Sequence, residues 1–153
     1  QEDLKILEEG IIKTHDIYYR LLVGKEPPEI EIPACWMNIM NKGEIIKKHN
    51  HAFDEKSYLS GNFTVACEGS KTVYVNPMYH ISEDELIEAF EKDGEEFGEC
   101  FYASTNKTGN LTLFPCYVPH FTTEHTSDTE RITIAFEIVP KGFGGISTKA
   151  PSG

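Results

Sequence analysis

Cys35-Trp-Met-Asn-Ile-Met-Asn41, Ile45-Ile-Lys-Lys48, Tyr58-Leu-Ser-Gly-Asn-Phe-Thr-Val-Ala66 and Thr72-Val-Tyr-Val-Asn76 follow one another closely, punctuated by Gly43, Gly61 and Gly69. Short runs rich in β-branched and aromatic residues, broken by glycine, read as strands. The pattern resumes with Cys100–Ser104, a Thr-Asn-Lys-Thr-Gly turn, then Leu111–Phe114, Phe121–Thr126 and Arg131–Val139. About eight short strands of this kind indicate a mainly β barrel or jelly roll.

Two helices frame the strands. Over Asp3–Val23, Leu4, Leu7, Ile11, Tyr18 and Leu22 recur at three- and four-residue spacing, and Gly24 with Glu26-Pro27-Pro28 ends the run. This predicts an N-terminal helix that packs on the outer face of a sheet. A second, inserted helix is expected over Glu83–Lys92, with Ser82 as its cap and Glu85 three residues on. It lies in an acidic stretch, nine Asp and Glu against one Lys over Glu83–Glu99, which reads as a solvated face. With no repeat and no mid-chain linker, the expectation is one domain over 1–153. Residues 1–24 form the packing helix, 34–139 the barrel core, and 140–153, rich in Gly, Pro and Ser, a flexible tail.

The chain has 153 residues, 39% of them hydrophobic, which is enough for a core at single-domain size. Its formal charge of −11, from 14 basic and 25 acidic residues, disfavours nucleic acid and anionic membrane surfaces, both of which are bound through basic residues. No apolar run approaches the ~20 residues of a membrane span. Cys35, Cys67, Cys100 and Cys116 form no CxxC pair. The simplest reading is four buried, reduced thiols in a cytoplasmic protein, with two disulfides in a secreted domain as the alternative.

Chemistry concentrates in the histidines. In a strand, residues i and i+2 point to the same side, so His49 and His51 would face one way. Two imidazoles on one inward face suit a divalent metal, although exposed pairs of this kind also occur without one. Phe114-Pro-Cys-Tyr-Val-Pro-His120 places a third imidazole just past a proline-stiffened turn. Eleven residues on, Arg131 and Thr133 share a strand face. A guanidinium aimed into the same cavity would call for an anion, since burying it unpaired costs several kcal/mol. A ligand carboxylate would meet it with a forked pair of hydrogen bonds. Pairing with an internal acid such as Glu137, or exposure at the strand start, would leave it no ligand to bind.

Taken together, Trp36-x-Asn38, Gly43-x5-His49-x-His51, Ser60-Gly61, Leu113-Phe114-Pro115-x4-His120 and Arg131-x-Thr133 resemble a small family of 2-oxoglutarate- and Fe(II)-dependent oxygenases. The resemblance runs over about residues 34–139 and fails at about 78–100. It implies a double-stranded β-helix, Fe(II) and 2-oxoglutarate as cofactor and co-substrate, and O₂ as the second co-substrate. It implies a hydroxylase whose primary substrate, a peptide or protein among the candidates, is not identified. Carried over residue by residue, His49, His51 and His120 hold the metal. Arg131 and Thr133 hold the far carboxylate of 2-oxoglutarate, and Asn38 its near carboxylate or the substrate. No further catalytic residue is implied. His51 stands where the wider superfamily has an acid, and Asp54 or Glu55 is the alternative third ligand. A weaker likeness to cupins would use His49, His51, Glu55 and His120. It implies the same fold with either a metal-binding module or an enzyme that does not need 2-oxoglutarate. Cys116 near His120 lacks an orienting third group and reads as core. His125, five positions past His120, would face the opposite side of a regular strand, and His15 and His80 read as structural or surface residues.

Overall fold

The computed structural model describes residues 2–52, 57–79, 96–98 and 100–142. Helix α1 (Glu2–Val23) is followed by strands β1 (Ile30–Met40), β2 (Leu59–Ala66), β3 (Thr72–Val75), β4 (Glu96–Phe97), β5 (Phe101–Ser104), β6 (Leu111–Pro115), β7 (His120–Thr122) and β8 (Arg131–Pro140). They form two antiparallel four-stranded sheets, ordered β1-β8-β2-β6 and β4-β5-β3-β7. The architecture is the mainly β jelly roll that the strand pattern foretold. Among the described residues no helix is long and apolar enough to cross a membrane.

Strand β8 shows how the sequence builds the first sheet. In Arg131-Ile-Thr-Ile-Ala-Phe-Glu-Ile, side chains alternate between two faces. Arg131, Thr133, Ala135 and Glu137 stand on one; Phe136 and Ile138, both fully buried, stand on the other. The apolar face packs with Leu59 and Ile11, flanked by Leu7, Tyr18, Leu111 and Leu113. Helix α1 therefore covers the outside of this sheet, and each such buried side chain contributes roughly 1.5–3 kcal/mol. Gly61 pairs with Phe136 across β2 and β8. A Cβ there would lie 2.9 Å from Leu113 Cδ2 and closer still to the Phe136 ring, so glycine is what lets that ring lie flat on the sheet. Leu4 and Leu22, expected on the packing face, are instead exposed at the two ends of α1, beyond the sheet. His15 is fully buried beside Tyr58, a structural histidine.

Several boundaries move. Strand β1 starts at Ile30 and contains Pro33, which the ladder accommodates with a register shift between Glu31 and Ala34. Ile45–Lys48 is not a strand. Gly43, Glu44 and Ile46 nevertheless exchange backbone hydrogen bonds with Thr122 and His125, and His49 forms an isolated bridge with His120. Residues 43–49 thus run as a ragged margin beside β7, because their bonds are too widely spaced for a ladder. The short β4, which the sequence reading did not foresee, falls in the acidic stretch beyond the end of the expected helix. The helix expected over Glu83–Lys92 lies outside the described residues, as do His80 and 143–153 of the tail. Of the four cysteines only Cys116 is buried; Cys35 is exposed on β1 and the other two are half-buried, so the expectation of four buried thiols fails.

Candidate functional site

His49, His51 and His120 meet between the two sheets. Paired backbone bonds, His49 N–H to the His120 carbonyl at 3.1 Å and the reverse at 2.9 Å, set the first and last rings 4.3 Å apart, centre to centre. His51 N–H donates to the Cys116 carbonyl at 2.8 Å, which brings its ring to 5.1 Å from His49 and 5.0 Å from His120. One nitrogen from each ring lies within 4.8 Å of the others. His49 and His51 therefore converge as expected, although through a bridge and a loop rather than within one strand.

The tautomers follow from the acceptors. Nδ1 of His49 faces the Lys47 carbonyl at 2.7 Å, Nδ1 of His120 faces the Val118 carbonyl at 3.1 Å, and Nδ1 of His51 faces Glu137 Oε1. A carbonyl or carboxylate oxygen accepts, so each of these nitrogens donates its N–H and Nε2 is the atom left to serve as a ligand. Three imidazoles with one ring nitrogen each grouped in this way fit a divalent transition ion. Burial, with a smaller contribution from His49 and His51, lowers the pKa of His120 to about 4, which keeps its ring neutral.

At the other side of the same cavity lies Arg131, 1% exposed. Its Nη1 donates to Thr133 Oγ1 at 3.2 Å and approaches Met40 Sδ at 3.5 Å, and its Nη2 donates to Thr72 Oγ1 at 3.1 Å. Its buried Nε–H has no partner. No described carboxylate pairs with it. Burial pushes its pKa below the ordinary arginine value, against the pull of Cys67 and Tyr74. The alternative of an internal pair with Glu137 is overturned: Glu137 accepts from His51 Nδ1 and, at 2.8 Å, from Ser60 Oγ. Arginine does not deprotonate in proteins, so the cavity holds a buried cation with an unmet demand for an anion.

The cavity measures about 130 Å³ and is lined by the three histidines, Arg131, Thr133, Asn38 and their neighbours. Asn38, half-buried, sits beside Thr133 in the β1–β8 register. Trp36 stacks on His51, ring centres 5.7 Å apart, and Phe114 meets the His120 ring edge-on at 4.8 Å. Unforeseen from the sequence are Thr72 and Met40 on the guanidinium and Glu137 behind His51. Period-2 alternation from Arg131 would have put Glu137 on the inner face. Nothing local marks Thr72, which arrives from the other sheet. Asp54 and Glu55, the alternative acids, lie outside the described residues. His125 is fully buried away from the cluster, on Ser70 Oγ and the Thr129 carbonyl.

Residues 34–137 match the family described as "Putative 2OG-Fe(II) oxygenase", 2OG being 2-oxoglutarate. The chain belongs to that family. Among solved structures it is similar to a 2OG-Fe(II) oxygenase family oxidoreductase from Burkholderia pseudomallei, at 15% identity and a TM-score of 0.58, over 81% of this chain and 51% of that one. It is also similar to HygX from Streptomyces hygroscopicus, solved with iron bound, at 11% identity and a TM-score of 0.52, over 83% of this chain and 64% of that one. At these identities the likeness is one of fold, and the chain spans about half the length of the first and under two thirds of the second. A cupin domain from Bordetella pertussis overlays at a TM-score of 0.42 and 17% identity, over 73% of this chain and 91% of that one. Among curated proteins none matches the sequence.

Proposed function

We propose that this oxygenase-family chain holds Fe(II) through His49, His51 and His120, and 2-oxoglutarate through Arg131 and Thr133. It then acts as a dioxygenase that hydroxylates a peptide or protein substrate. The observation that carries the reading is Arg131: a buried guanidinium, one N–H unpartnered, across a small cavity from three metal-competent imidazoles. A dicarboxylate spanning the cavity would meet both needs at once, one end on the ion and the other on the guanidinium fork.

When bound, Fe(II) with 2-oxoglutarate and O₂ supplies the oxidising chemistry, the co-substrate being decarboxylated to succinate. The chain's own groups orient and enclose. Nδ1 anchors keep the three rings from turning, Thr133 Oγ1 steadies the guanidinium, Asn38 offers an amide beside Thr133, and Trp36 and Phe114 pack on the His51 and His120 rings while His49 stays exposed. An open groove of about 440 Å³ between β1 and Glu44–Ile46 shares Asn38 and Ile46 with the cavity. Such an opening suits a substrate presented on a larger body.

Anaerobic titration of the chain with Fe(II), with and without 2-oxoglutarate, tests the reading. A visible charge-transfer band is expected only when both are present, and it should be lost in Arg131→Ala while metal binding survives. Metal uptake with no 2-oxoglutarate binding in the wild type would refute it and leave a cupin-like metal-binding module.

A further inference from the structure

We infer that Glu137 is a positioning residue for the metal: its carboxylate fixes His51 through Nδ1–H and supplies the charge that three imidazoles lack. The inference rests on the metal reading above. Three neutral histidines bring no negative charge to a divalent ion, and Arg131 adds a further cation to the same cavity. Among the described residues, Glu137 is the acid in contact with the cluster. Its side chain is 15% exposed, and both oxygens are committed, Oε1 to His51 and Oε2 to Ser60 Oγ at 2.8 Å.

The placement on β8 is selective. Arg131 and Glu137 stand on the same strand face, yet at about 3.3 Å per residue they are separated by roughly 20 Å of strand. The two opposite charges do not meet. The carboxylate sits at the histidine end, and the guanidinium is left to an external anion. The three histidines also differ among themselves. His49 and His120 give Nδ1–H to neutral backbone carbonyls two residues back, whereas His51 gives its own to a carboxylate. A carboxylate acceptor makes the stronger hydrogen bond and pushes electron density towards Nε2, raising that nitrogen's basicity as a ligand. His51 thereby does part of what an anionic ligand would do, with the charge one hydrogen bond further from the ion.

Glu137→Gln separates charge from geometry. Glutamine Oε1 still accepts from His51 Nδ1–H, and its amide N–H still reaches Ser60 Oγ, so both hydrogen bonds persist and only the charge is lost. The probe is Co(II) alone, titrated into metal-stripped chain by calorimetry, with the visible cobalt bands recorded at saturation. E137Q should bind Co(II) roughly 10- to 100-fold more weakly than wild type with shifted bands. Glu137→Asp, which keeps the charge but draws it back, should recover part of the affinity. A purely structural Glu137 would change neither the bands nor the affinity of folded protein. Equal affinity and unshifted bands in E137Q overturn the inference and leave the metal reading intact. Wild type that takes up no Co(II) overturns both. If E137Q does not fold by circular dichroism, Ser60→Ala carries the test, because it frees one carboxylate oxygen. A loss of about threefold in Co(II) affinity then supports the inference, and none overturns it.

Discussion

Replacing Arg131 with methionine should remove the co-substrate and leave the empty fold as stable as before, or more so. The guanidinium is 1% exposed, and its desolvation costs several kcal/mol. Against that cost stand two hydroxyl hydrogen bonds, to Thr133 and Thr72, worth about 1.5–3 kcal/mol each to a charged donor, and a weak contact to Met40 Sδ. The two sides nearly cancel. Methionine removes both and fills much of the same space with apolar atoms, so ligand-free stability should change by about 0 to +2 kcal/mol, or a Tm unchanged or raised by up to about 6 °C. With metal and 2-oxoglutarate at about 100 times the wild-type Kd, the order should reverse. The wild type then gains about 2.7 kcal/mol from 2-oxoglutarate and the variant nothing. Paired thermal melts, with and without 2-oxoglutarate, read both halves. A ligand-free loss of 3–5 kcal/mol in the variant would mean that a protein anion already pairs with Arg131, and the argument for a carboxylate site would fall.

Two further outcomes follow from the geometry. Gly61→Ala drives a methyl into the Phe136 ring and should cost about 1–3 kcal/mol in urea unfolding; a neutral result would mean that Phe136 repacks freely. The pKa of His120 is lowered from 6.5 to about 4, so between those values the unfolded chain binds a proton that the metal-free native chain refuses. Its stabilising contribution is whole above pH 6.5 and is lost as pH falls towards 4, by about 3 kcal/mol in all. The stability gap between metal-free wild type and His120→Gln should shift by roughly that amount between pH 7.5 and 4; a gap independent of pH would refute it.

The fold was legible where local rules act alone. Short runs rich in β-branched and aromatic residues placed β2, β6 and β8 within a residue or two, and helical spacing placed α1. Local rules said less where bonding is between segments. Residues 45–48 have strand-like composition, yet their hydrogen bonds to Thr122 and His125 are too sparse for a ladder, and no local feature of Ile-Ile-Lys-Lys says so. At the site, the three histidines and Arg131 could be named because their residue types are costly to bury without a purpose. Their convergence could not be derived from His-x-His geometry in a strand, since His51 lies in a loop. It depends on the His49–His120 bridge and on the Cys116 carbonyl, both long-range. Thr72 was invisible for the same reason: a threonine is unremarkable until the fold brings it to a guanidinium from the opposite sheet.

The alternation along β8 has a consequence for how this strand tolerates change. On one face Phe136 and Ile138 are buried against α1 and Leu59; on the other Arg131, Thr133 and Ala135 line the cavity and Glu137 stands behind His51. Damage of the first kind, at Phe136 or Ile138, should act on abundance by raising the unfolded fraction, and so lower every activity of the chain in proportion. Damage of the second kind, at Arg131, Thr133 or Glu137, should leave the amount of folded protein nearly constant and alter what that protein binds. Between Arg131 and Ile138, the face on which a residue stands separates variants that deplete the protein from variants that disarm it.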